Sequence, residues 1–115
     1  KIQDLAQLFK ELNRTLKDYN NGKPKILVFS YFADTIQYLK DNFSTYFEYQ
    51  VDECEFISSA NRNNIDDITR RFAPNGKDYQ LKAHEVELQY LFATDVLSEG
   101  QNLQNCAILI NYDLH

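Results

Sequence analysis

Four short apolar runs punctuate this chain, and helical or turn-like segments separate them. The runs are 25–30, a stretch near 53–58, 89–94 and 106–112. The first, Lys25-Ile26-Leu27-Val28-Phe29-Ser30, does not alternate apolar with polar residues. That pattern belongs to a strand buried on both faces of a parallel sheet. Between the runs, apolar residues return at helical spacing. Ala33, Ile36, Leu39 and Phe43 predict a helix over 33–46, and Ile65, Ile68 and Phe72 predict one over 63–72. Ahead of the first run, Ile2, Leu5, Leu8, Phe9, Leu12, Leu16 and Tyr19 predict an amphipathic helix over 2–19. Asn20-Asn21-Gly22 stops it and Pro24 follows.

Strands that alternate with helices need crossover connections, so the fold class is α/β: a parallel sheet with helices on both faces. A chain of 115 residues makes one compact domain, 1–115. Residues 73–87 interrupt the alternation. Pro74, Asn75 and Gly76 mark a turn there, and polar residues dominate, which predicts a surface excursion. A short turn or helix is expected over 95–99. The chain begins inside a helical pattern and ends just past a strand pattern, so both ends read as cut points in a longer protein. In parallel sheets, ligands gather beyond the carboxyl ends of the strands. Three places qualify: Ser30-Tyr31-Phe32, Ser58-Ser59-Ala60, and Thr94 through Asn102.

Composition narrows the chemistry. The formal charge is −5 and no long basic run is present. Strong nucleic-acid affinity comes mainly from Lys and Arg on phosphates, so charge alone argues against it for this piece. Cys54 and Cys106 each lie in an apolar run and read as buried free thiols in a reduced, intracellular compartment, cytoplasmic or nucleoid-associated. His84 and His115 are isolated, so no metal site is expected. No apolar run approaches the length of a membrane span. The only glycines are 22, 76 and 100. A P-loop needs two glycines at fixed spacing before a lysine, and that pattern is absent.

The segment from Thr94 to Leu103 leaves a buried run and enters a loop dense in polar groups. Thr94 and Ser98 carry hydroxyls, Gly100 permits close backbone approach, and Asn102 offers a donor and an acceptor. Such a loop suits a phosphate or sugar; it equally suits a turn whose Asp and Asn satisfy local backbone.

The stretch from Phe92 to Ala107, followed by Ile110 to Leu114, resembles motif V of helicase superfamily two and the strand after it. Its Ser98-Glu99-Gly100-Gln101-Asn102-Leu103-Gln104 form resembles the Swi/Snf-like branch. Lys25 to Thr35, with Leu39, resembles motif IV and its helix. Ile57-Ser58-Ser59, with the helix ending Arg70-Arg71-Phe72, resembles the block between them, where relatives often carry glycine at the position of Ser58. The resemblance covers roughly residues 20–115 and implies a RecA-like (P-loop NTPase-type) helicase C-terminal lobe, truncated at its C-terminus before the arginine-bearing motif. It implies that Glu99, Gly100 and Asn102 line a nucleotide cleft, and that Ser30, Tyr31, Ser59 and Thr94 face a DNA or RNA backbone. ATP and Mg2+ would be held mainly by the first RecA-like lobe of the same protein. No catalytic residue is expected within this piece, which should not hydrolyse ATP alone.

Each assignment has a plainer counterpart. Tyr31 equally reads as a residue that closes the strand end, Ser30 and Ser59 as helix caps, and Arg70 and Arg71 as a solvated helix face rather than a nucleic-acid contact. For the whole chain the alternatives are a non-catalytic RecA-like module that binds a protein partner and, less well supported, an unrelated α/β domain that binds a small molecule.

Overall fold

The computed structural model describes residues 2–16, 25–47, 53–58, 65–72, 81–94 and 108–113. Its elements run α1 (Ile2–Thr15), β1 (Ile26–Phe29), α2 (Ala33–Tyr46), β2 (Cys54–Ile57), α3 (Ile65–Phe72), β3 (Tyr90–Ala93) and β4 (Ile108–Asn111). The four strands form one sheet in the order β2-β3-β1-β4. Every pairing is parallel. The expected α/β class therefore holds.

Strand order explains the layers. The path from β1 to β2 steps outward past β3, and the path from β2 to β3 steps back. Crossovers of one hand, taken in opposite directions, place their helices on opposite faces. Accordingly α1 and α2 pack on one face and α3 on the other. Alternate strand residues divide between the two cores, as pleating requires. Ile26, Val28, Cys54, Phe56, Tyr90 and Phe92 meet α1 and α2. Leu27, Ile57, Leu91 and Ala93 meet Ile68 and Phe72 of α3.

The first core is built from rings. Phe56 and Phe92 stack at 4.6 Å, Phe43 and Phe47 stack at 4.8 Å, and Phe9 lies 4.9 Å from Tyr90. Each such ring, once buried, contributes about 1.5–3 kcal/mol of transfer free energy. The central strand β3 is buried throughout. The edge strand β4 is not: Leu109 is 53% exposed on the α3 side, so the last apolar run is covered on one face only.

Polar groups close the amino-terminal edge. Asn13 donates to the Phe9 carbonyl at 2.8 Å and to the Tyr90 hydroxyl at 3.0 Å, and it accepts from Gln89 at 3.2 Å. Lys25 is buried, donates to the Leu88 carbonyl, and pairs with Glu87 at 2.6 Å.

The sequence boundaries need small corrections. The first helix is described to Thr15, and 17–24 lie outside the described residues. Of the expected excursion over 73–87, the described part is 81–87. Its first residues are mostly exposed, but Val86 accepts from Arg71 Nε and Glu87 reaches Lys25. Leu88, next in the chain, is fully buried beneath α3. The excursion thus returns to the core before β3 begins.

Candidate nucleic-acid interface

The register fixes what stands at the carboxyl edge. Ile57 pairs with Ala93, Ala93 with Phe29, and Phe29 with Asn111. The next residues are therefore Ser58, Thr94, Ser30 and Tyr112, in that order across the sheet. Backbone hydrogen bonds extend the ladder into this row: Thr94 N–H to Ile57 at 3.1 Å, Ser30 N–H to Ala93 at 3.0 Å, and Tyr112 N–H to Phe29 at 2.9 Å. All four residues carry a hydroxyl. Pleating turns all four toward the α1/α2 face, where Tyr112 packs against the aromatic core.

Thr94 is only 4% exposed, and its hydroxyl finds no hydrogen-bond partner among the described residues. A buried hydroxyl is normally paired, so this one calls for a partner. Ser30 is fully buried and its hydroxyl is committed. It donates to the Asp113 carboxylate, whose oxygens are both 3.0 Å away, and accepts from the Phe32 N–H at 3.2 Å. The Tyr31 N–H donates to Asp113 Oδ2 at 2.6 Å. Asp113 is itself held by its own N–H, which donates to Asn111 Oδ1 at 3.2 Å.

This turn launches α2. Phe32 is the residue before the helix, extended at φ −117° and ψ 125°, with no side-chain cap. Its carbonyl accepts from Thr35 at 3.1 Å and Ile36 at 3.3 Å. The rings of Tyr31 and Phe32 project into solvent, 64% and 61% exposed. Tyr31 touches Phe29 edge-on at 4.9 Å. A shallow hollow lined by Ile2, Asp34, Thr35, Tyr38 and Tyr112 opens beside the helix start. Burial, then the neighbours Tyr38, Asp4 and Asp113, push the Tyr112 hydroxyl above its usual pKa.

Of the residues singled out from sequence, the fold brings Ser30 and Thr94 side by side on adjacent strands and puts Tyr31 on the turn between β1 and α2. Ser59, Glu99, Gly100 and Asn102 lie outside the described residues. Arg70 lies 3.7 Å from Asp67 on α3, with its side chain 41% exposed. Arg71 is turned inward, toward the Val86 carbonyl and, at 3.7 Å, Glu55. Ser58 belongs to one of the three places read from the sequence, whereas Tyr112 and Asp113 are not among the residues singled out there. Each immediately follows a strand, or follows by two positions, which is the signal that would have found them.

The described part of the edge is not basic. Its described residues, 30–36, 58, 94 and 111–113, include two carboxylates, Asp34 and Asp113, and no lysine or arginine. The described residues there offer a ligand hydroxyls, backbone N–H groups and rings. No cluster of three or more His, Cys, Asp or Glu side chains suited to a metal occurs among the described residues. No helix among them is long and apolar enough to cross a membrane.

The family model for the helicase conserved C-terminal domain matches residues 3–115. No curated protein and no solved structure gives a significant match.

Proposed function

Because the chain belongs to the helicase conserved C-terminal domain family, we propose that it works as the second RecA-like lobe of an ATP-dependent nucleic-acid helicase or translocase, of the Swi/Snf-like kind. One observation carries the reading. Four hydroxyl residues form a row at the carboxyl edge of a parallel sheet, and the buried hydroxyl of Thr94 has no partner among the described residues. Ligands of such sheets bind beyond this edge. Neutral donors of this type position a phosphate backbone without reading its sequence.

The lobe's own residues supply half of the machinery. The sequence holds no P-loop, and the described residues offer no carboxylate cluster for Mg2+. ATP and Mg2+ are assigned to a partner lobe, where they supply phosphoryl-transfer chemistry. In this reading Glu99, Gly100 and Asn102 close over the nucleotide from this side, Thr94 and Tyr31 grip a DNA or RNA backbone, and Ser59 joins them. Ser30 works from beneath, because its hydroxyl is buried and engaged by Asp113.

The absence of lysine and arginine among the described edge residues favours a second reading, a non-catalytic module that binds a protein. One experiment separates the two. In the intact protein, Thr94→Val removes the hydroxyl with little change of shape. The motor reading expects nucleic-acid-stimulated ATP hydrolysis to need roughly tenfold more nucleic acid for half-maximal rate, about the effect of one lost charge-assisted hydrogen bond. Stimulation equal to wild type would remove Thr94 from the contact. No stimulation in the wild type would favour the protein-binding module.

A further inference from the structure

Asp113 makes the shortest side-chain hydrogen bond described at the carboxyl edge, 2.6 Å from the Tyr31 N–H. We propose that Asp113 is a positioning residue for nucleic-acid engagement: its carboxylate fixes the turn Ser30-Tyr31-Phe32 so that two exposed rings meet an unpaired nucleic-acid base. The proposal rests on the motor reading above and specifies how its second lobe takes hold of the strand.

The geometry of the turn supports it. Asp113 accepts from the Ser30 hydroxyl and from the Tyr31 N–H, and Ser30 accepts in turn from the Phe32 N–H. The two amides that lead into α2 are thereby engaged, and one carboxylate from the exit of β4 sets the conformation of the exit from β1. The Ser30 hydroxyl is already committed to Asp113, so it is not a direct contact; the groups of this turn left facing solvent are the rings of Tyr31 and Phe32. These are two of the most exposed large apolar side chains in the described structure, and they are neighbours. Tyr31 packs against Phe29 in a T-shaped pair, which steadies one ring, and its side chain stays 64% exposed. Every base has a π-face, so exposed rings grip a strand with little regard to sequence and need no basic surface. That matches an edge whose described residues carry no lysine or arginine. Fixing the turn beforehand lowers the ordering cost of binding.

A rival arrangement has the carboxylate occupying an anion seat from which a phosphate must displace it. In the structure the carboxylate fills that seat, accepting from both the Ser30 hydroxyl and the Tyr31 N–H.

The test uses the intact protein with Asp113→Ala and Asp113→Glu. Two measurements are made: amide hydrogen exchange at Tyr31 and Phe32, and ATP hydrolysis against the concentration of a single-stranded or a duplex oligonucleotide. In Asp113→Ala, exchange at the two amides should accelerate while β1 and β3 stay protected. The single-stranded oligonucleotide needed for half-maximal rate should rise about tenfold, the equivalent of one charge-assisted contact, with a smaller fall in the saturating rate. Asp113→Glu should recover part of the loss, and a Tyr31→Ala, Phe32→Ala double variant should reproduce it with exchange in β1 unchanged. Unchanged exchange overturns the positioning role. Faster exchange with unchanged oligonucleotide dependence overturns its link to binding. A lower half-maximal concentration establishes the displaced-anion arrangement instead. If the wild type shows no nucleic-acid stimulation, the motor reading fails, and with it the purpose assigned to the turn, whatever the exchange result.

Discussion

The Ser30 hydroxyl lies 3.0 Å from each carboxylate oxygen of Asp113, although 83 positions separate the two residues in sequence. The contact ties the end of β1 to the end of the neighbouring edge strand β4. Ser30→Ala leaves Asp113 with one of its two donors in a partly buried place. The expected cost is about 1–2 kcal/mol, the range for a hydrogen bond to a charged acceptor. A urea denaturation series gives it directly. Combined with Asp113→Ala, the two substitutions should cost less than their sum, by about 1 kcal/mol, because they share one interaction. Additive effects would show that the pair is not coupled.

Thr94 makes the opposite prediction for stability. Its hydroxyl is buried with no partner among the described residues, which costs free energy in the absence of a ligand. Thr94→Val should therefore leave the unliganded protein as stable as wild type, or more stable by up to about 1 kcal/mol. A loss larger than that would mean the hydroxyl is bonded within the chain, and Thr94 would no longer be a group waiting for a ligand.

The two residues also show what was legible in the sequence. Ser30 and Thr94 were readable because each ends a continuous apolar run, and that local pattern marks the carboxyl end of a buried strand. Their adjacency was not readable. The chain visits β2 between β1 and β3, so the pairing of Phe29 with Ala93 is decided by tertiary packing and not by any turn. The row that continues through Ser58 and Tyr112 was hidden for the same reason. Asp113 was hidden further: it lies beyond the last strand, and nothing local distinguishes it from a solvated turn residue. Lys25 opens the first apolar run, and nothing local shows that it is buried: the returning segment before β3 brings Glu87 and the Leu88 carbonyl to it. The loop around Gly100 was legible as a motif, and it falls outside the described residues.

Lys25 gives a third prediction. Its ammonium lies 2.6 Å from Glu87 and 5.4 Å from the centre of the Phe72 ring. Glu87 is 39% exposed, so solvent screens the pair. Removing one member of an ion pair is costly when it leaves a buried charge alone; Lys25→Met leaves only the 39% exposed Glu87, which water can solvate, whereas changing Glu87 leaves the buried ammonium without its carboxylate. Lys25→Met should change stability by less than about 1 kcal/mol. Glu87→Gln should cost about 1 kcal/mol, since the pair is half in solvent. High salt should narrow the gap between wild type and Glu87→Gln. Thermal melts at low and high salt decide it; a Lys25→Met variant that fails to fold would show the charge to be indispensable.

Cys54 supplies the pH-dependent prediction. Its thiol is buried against the aromatic core on β2, and burial first, then the nearby Glu55 carboxylate, raise its pKa well above the usual 9.0. Folding thus favours the protonated thiol. The sign follows by linkage. Well below pH 9 the thiol is protonated in both folded and unfolded chains, and its contribution to stability is present in full. As the pH climbs past that value the unfolded chain loses the proton first, so stability falls until the folded thiol ionises too. The thiolate is the reactive form, so alkylation of native Cys54 at pH 8 should be slow and should accelerate sharply in denaturant. Stability measured between pH 8 and 10.5 should decline, and in Cys54→Ala that part of the decline should vanish. Rapid labelling of the native protein at Cys54 would place the thiol at the surface and undo the packing assigned to β2.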